Sequence, residues 1–267
     1  MTQPSGTQPS GAAGAGRRAE PEPKPLGGSI RFEEGDFHAL SDGLARDPQY
    51  NDRRLVARRK LLALGKQAAA RAKADGTAFE VRSSLHQPHA FNGMTVRRLW
   101  TYLVRPKAEK KRLRGVLGAD LAKDLDAAYR NAYLCLALEA ERIEVSLRVH
   151  ADAWFDGQNL VKRVKAEGLE GWRTHLNALD GFRLRLADWK GEWRCGSLDA
   201  DRLEEFLGYY TPGDHALTVE RSFPAPPGAR EPACSEEAVA TCLDELARLL
   251  PLYRFLAWSK DSDFLFA

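Results

Sequence analysis

The sequence is short of the residues and patterns that normally announce chemistry. Its 267 residues hold four cysteines, Cys135, Cys195, Cys234 and Cys242, with no CxxC pair. That spacing excludes a zinc ribbon or a dithiol redox motif, and a chain of this size does not need a disulfide framework. No apolar run reaches about 18 residues, so no membrane-spanning helix and no membrane partner are expected. There is no GxGxxG, no GxxxxGK[ST] and no GxSxG, so the sequence gives no sign of a dinucleotide fold, a P-loop or a nucleophile elbow. His86 and His89 flank Pro88 in LHQPHAF, but two imidazoles without a third ligand do not make a zinc site. No metal and no cofactor are expected. The absence of a secretory pattern at the N-terminus, together with the sparse cysteines, points to a reducing cytoplasm. The abundance of Arg and Ala suggests a bacterial source.

What is present is a core. Hydrophobic residues make up 43% of the chain, enough for a globular protein. Residues 1–28 are different. They are rich in Pro, Gly, Ser and Ala, with TQPSG repeated, and cannot bury enough apolar surface to offset their ordering entropy. They are expected to be a disordered tail, with a flexible tether to a protein partner or a neighbouring domain as the alternative. Residues 29–267 are expected to form a single α+β domain, with a sub-boundary near 150–180 as the alternative.

The periodicity alternates between helix and strand. NDRRLVARRKLLALGKQAAARAKADG predicts a helix with Leu55, Val56, Leu61, Leu62 and Leu64 on its apolar side, and Arg53, Arg54, Arg58 and Lys60 opposite. FEVRSSLH and TVRRLWTYLVR predict a hairpin, and LGADLAKDLDAAYRNA a helix. AYLCLALEAERIEVSLRVH predicts a second hairpin. In its second strand Ile143, Val145, Leu147 and Val149 face the core, while Arg142, Glu144, Ser146, Arg148 and His150 face away. An acid at Val145 is therefore expected to be ruinous and one at Ser146 mild. Two short helices, a hairpin across Lys190-Gly191, a helix capped by Asp199, a strand over 215–223 and a C-terminal helix divided at Pro251 complete the chain. Helices alternating with hairpins imply a mainly antiparallel sheet covered by helices on one face.

Charge is distributed unevenly. Residues 53–114 contain 17 Lys/Arg and 3 Asp/Glu, a net of +14, whereas residues 134–267 contain 16 and 23, a net of −7. Such asymmetry suggests a polyanion partner. Arg53, Arg54, Arg58, Arg59, Arg97, Arg98, Lys107, Lys110, Lys111, Arg112 and Arg114 are the expected contacts for nucleic acid, through phosphates rather than bases. Trp100 and Tyr102 share strand parity and are expected in the core rather than as stacking platforms. The competing expectation is that the basic stretch packs on the acidic half, leaving an interaction or structural component of a bacterial assembly. A third is a hydrolase or nuclease with Glu144, Arg148 and His150 as catalytic residues. The triplet Glu144-Val145-Ser146 lacks the lysine of a Glu-x-Lys nuclease strand, so an enzyme is the less favoured expectation.

Overall fold

The structure, a computed structural model, describes residues 30–89 and 92–266. The tail expected over residues 1–28, and its role as a tether, lie outside them. The fold is α+β, with one seven-stranded antiparallel sheet. The strands are β1 (Glu80–Ser83), β2 (Arg98–Val104), β3 (Tyr133–Glu139), β4 (Arg142–Val149), β5 (Arg183–Leu186), β6 (Trp193–Arg194) and β7 (Leu217–Pro224). Their spatial order is β1-β2-β3-β4-β7-β5-β6. The two expected hairpins pair β1 with β2 and β3 with β4, with Glu144 opposite Ala137 and Arg148 opposite Tyr133. β7 then pairs with β4 and carries the β5–β6 hairpin on its other side.

Helices cover one face. The central strands turn Leu99, Leu103, Leu134, Leu136, Leu138, Ile143, Val145 and Leu147 into a single core, all buried. α2 (Asn51–Ala74) and α8 (Glu236–Arg248) lie on it. In α2 the buried residues are Arg54, Ala57, Lys60, Leu61, Leu64, Gly65, Ala68 and Ala72. The apolar side expected for this helix was therefore misplaced by part of a turn: Leu55, Val56 and Leu62 are only half-buried, while Arg54 and Lys60 are inside. Small residues draw the helix onto the sheet. A Cβ on Gly65 would lie 2.5 Å from Thr101 Oγ1 and 2.9 Å from Val81 Cγ1.

The later elements match the sequence closely. Asp199 accepts a bond from Arg202 N at the start of α6 (Ala200–Tyr209), and Ser235 caps α8 through Ala238 N. α9 (Leu250–Leu256) follows with Pro251 in its first turn. α4 (Trp154–Glu167) and α5 (Glu170–Asn177) sit where two short helices were expected. The third helix does not. α3 spans Lys107–Leu121, begins just after Pro106, and is broken by Gly118 at φ 81°. Most of LGADLAKDLDAAYRNA instead forms turns and a short 3-10 segment, Ala128–Arg130. Pro106 sets the helix start, because its fixed φ and missing N–H suit the entry to a first turn. The basic run is thus the helix, anchored by Leu113 and Leu117.

Candidate anion-binding cleft

The basic residues do not assemble into one exposed patch. Arg54 is fully buried and donates to the backbone carbonyls of Ala39, Leu44 and Asp47 and to the Asn51 side chain. It fastens the 39–47 turns to α2 and is closed to a polymer. Lys110 is also buried, 3.7 Å from Glu80 and 3.9 Å from Asp126. Burial pulls its pKa down, helped by Arg82 and opposed by the two acids. Both residues were expected as contacts, and both are excluded by helical phase: 54 falls in line with 57 and 61, and 110 with 113 and 117. Arg53 pairs with Glu33 at 2.7 Å, Arg97 with Asp42 at 2.7 Å, Arg112 with Glu109 at 2.5 Å and Arg114 with Asp126 at 3.6 Å. Arg58 donates to Ser84 O at 2.6 Å. Several of these partners flank the basic stretch, while Arg71, Arg98 and Arg105 reach acids in the C-terminal half. Of the expected contacts, Arg59, Lys107 and Lys111 are exposed without an ion pair among the described residues.

The second expected constellation is also resolved. Glu144 is buried on the sheet face away from the helices, and both oxygens of its carboxylate are engaged. Arg98 donates to both oxygens at 2.9 Å, Arg148 at 2.6 Å and Ser146 at 2.7 Å. Burial pushes the Glu144 pKa up, and the bonds and charges of Arg98 and Arg148 outweigh it, bringing it down to about 2. A carboxylate held this way is a poor proton acceptor. His150 stands six residues along the strand, on the order of 20 Å away. There its Nδ1 accepts from Asp152 N, and its ring packs on Tyr129 at 5.7 Å. Glu144 and Arg148 are brought together; His150 is not. Beside them Trp100 and Tyr102 stack at 5.7 Å, and Tyr102 meets Tyr133 at 4.6 Å. These rings lie on the face opposite the main core, half-buried against Cys135, Ala137 and Ala128. Their shared parity was read correctly, but it points them away from the helices.

A concavity elsewhere in the fold was not legible from the basic stretch alone. A cleft of about 850 Å³ opens between the α2–β1 loop, the start of α3, α9 and the segment after it. Its cations are Arg105, Arg112, Arg163, Arg254 and Lys260, with His175, against the acids Glu109 and Asp261. Arg105 is fixed at the end of β2: Nε donates to Asn131 Oδ1 at 3.2 Å, Nη2 to Asp156 Oδ1 at 2.7 Å and Nη1 to Trp258 O. Asp156 also accepts from Ala132 N and Trp258 N. Burial lowers the Arg105 pKa, and the charge and hydrogen bond of Asp156, together with Tyr253 and Glu109, more than restore it. Arg254 bonds Thr77 Oγ1 and Asp75, and Arg163 bonds Glu167 at 2.8 Å. These counter-acids, Asp75, Asp156 and Glu167, are not among the residues lining the cleft. Burial and then Arg163 push the His175 pKa down, so its ring adds no charge at neutral pH.

Arg112 was anticipated from the basic run. Arg163, His175, Arg254 and Lys260 were not, because they come from α4, α5, α9 and the following segment, and no spacing in the sequence joins them. A scan of the chain against family models and a search of curated proteins both find no match.

Proposed function

We propose that the protein binds a phosphate-rich polyanion, single-stranded nucleic acid being the form to test, over the outer side of α3 and the cleft at its start. The polyanion partner expected from charge asymmetry is retained, but the surface is moved. Of the α2 cations expected as contacts only Arg59 stays exposed and unpaired, since Arg54 is buried and Arg53 and Arg58 are engaged. α3 contributes most. Lys107 and Lys111 are exposed and unpaired one turn apart, Arg112 lines the cleft, and Arg254 and Lys260 continue the cationic lining. The observation that carries this reading is that four guanidinium groups, each with a carboxylate partner, and the Lys260 ammonium line a single concavity at the N-terminus of α3.

The aromatic residues of the cleft support contact with phosphates rather than bases. Tyr253 is packed on Phe79 at 4.9 Å, Phe255 is covered by the Arg163 guanidinium at 4.0 Å, and Trp258 is buried. None offers the open ring on which a base stacks. Binding should therefore be weak in sequence preference and strongly dependent on salt. The test is fluorescence anisotropy with a labelled single-stranded oligonucleotide at low salt, comparing the wild type with Lys107→Glu/Lys111→Glu. Binding by the wild type and a marked weakening in the double variant, with an unchanged unfolding midpoint, is expected. Equal binding by both proteins would remove α3 from the surface.

A further inference from the structure

The cleft is too small for a duplex but within the range of small-ligand sites, and its donors suit one kind of group. We infer that it seats a terminal phosphate monoester, the phosphorylated end of a nucleic-acid strand, rather than an internal phosphodiester. This rests on the polyanion reading above and specifies which part of the polymer enters the cleft.

Three observations converge. First, Arg105 is 3% exposed and uses three of its five N–H groups among the described residues, on Asn131, Trp258 and Asp156. The other two have no acceptor among the described residues, and Arg105 is one of the residues lining the cleft. Three bonds already fix its guanidinium, so an incoming anion has little ordering cost to overcome. Second, Trp258 lines the same cleft, is buried, and has no acceptor for its Nε1 among the described residues. A buried donor left unpaired is costly, and an acceptor oxygen would relieve it. Third, α3 starts at the cleft with no side-chain cap. Its N-cap is Pro106, and Pro106, Ala108 and Glu109 line the concavity. First-turn N–H groups are natural donors to phosphate. Glu109 is the acid of that turn, and Arg112 holds its carboxylate at 2.5 Å.

A phosphate monoester brings three terminal oxygens and close to two charges, whereas an internal diester brings two oxygens and one charge. The number of cationic side chains lining one cleft favours the former. With the aromatic rings covered, the attached base is not read. The end can be 5′ or 3′, which share this chemistry.

The experiment uses one single-stranded sequence, labelled at an internal base, in three forms: 5′-phosphate, 3′-phosphate and both ends hydroxyl. Affinities are measured by anisotropy for the wild type, for Arg112→Gln/Lys260→Gln and for Lys107→Glu/Lys111→Glu, each checked for an unchanged thermal midpoint. One phosphorylated form should bind the wild type about tenfold more tightly than the hydroxyl form, the effect of one charge-assisted hydrogen bond. That preference should vanish in Arg112→Gln/Lys260→Gln, while Lys107→Glu/Lys111→Glu weakens all three forms together. Equal binding of the three forms by the wild type would overturn the end-group assignment and leave the polyanion reading standing. A preference that survives Arg112→Gln/Lys260→Gln would overturn its location in the cleft. Binding of none of the forms would overturn the polyanion reading and this inference with it.

Discussion

Glu144 shows how a strand position that reads as polar becomes part of the interior. Its carboxylate, 1% exposed, is roofed by the side chains of Arg98 and Arg148, each about one quarter exposed. Arginine stems cover apolar and polar neighbours while their heads reach water. Ser146 is buried in the same way and donates to Glu144 at 2.7 Å. The mild effect expected of an acid at Ser146 therefore does not follow. Ser146→Asp would set a second carboxylate against the first and should destabilise severely, as Val145→Asp does by a different route. Urea unfolding of the two variants decides the matter: a near-wild-type midpoint for Ser146→Asp would contradict the buried cluster. The pH dependence has a definite sign. Glu144 sits at about 2 in the folded protein against an ordinary 4.5, so its contribution is present above pH 4.5 and is lost as pH falls through 2. The shift corresponds to about 3 kcal/mol. Glu144→Gln should lower stability at pH 7 by about that amount and remove the corresponding loss on acidification.

Among the elements, α2 offers the sharpest test of packing. Glycine inside an exposed helix costs about 1 kcal/mol relative to alanine, so Gly65→Ala would ordinarily stabilise. Here the new methyl would meet Thr101 and Val81 well inside contact distance, and overpacking of this kind costs about 1–3 kcal/mol. Gly65→Ala should therefore lower the denaturation midpoint, whereas Ala70→Gln, at an exposed position of the same helix, should change stability by less than about 0.5 kcal/mol. A stabilised Gly65→Ala would mean that the helix stands off the sheet. Hairpins, caps and the division at Pro251 were legible in the sequence because each depends on local chemistry: strict alternation in 142–149, Asp199 and Ser235 at helix starts, a proline in a first turn. The phase of α2 was not, because it is set by which small residues fit against β1 and β2. The start of α3 was obscured by its charge, since only Leu113 and Leu117 mark the buried side of its first part.

At the scale of the whole molecule, the uneven charge visible in the sequence resolves mostly into local ion pairs, and the cleft arises from parts of the chain far apart. Arg105 and Asp156 join them. Asp156 holds Arg105, Ala132 N and Trp258 N together, tying the end of β2, the approach to β3 and the segment after α9 to α4. Asp156→Ala should cost about 3–5 kcal/mol, the penalty of leaving a buried charge unpaired, and should be read as a fall in the unfolding midpoint. A variant as stable as the wild type would show that the cleft walls are not clamped by this carboxylate. No pattern in the sequence signalled that clamp, because its members are separated by 24 residues or more.

The central claim is that α3 and the cleft form a surface for phosphates. It is tested most directly by the salt dependence of single-strand binding, measured by anisotropy for the wild type and for Lys107→Glu/Lys111→Glu. The logarithm of the wild-type association constant should fall linearly with the logarithm of salt concentration, by about 0.7 per phosphate contacted, and the double variant should show both weaker binding and a shallower slope. A wild-type protein that fails to bind at low salt, or an affinity that does not respond to salt, would contradict the claim.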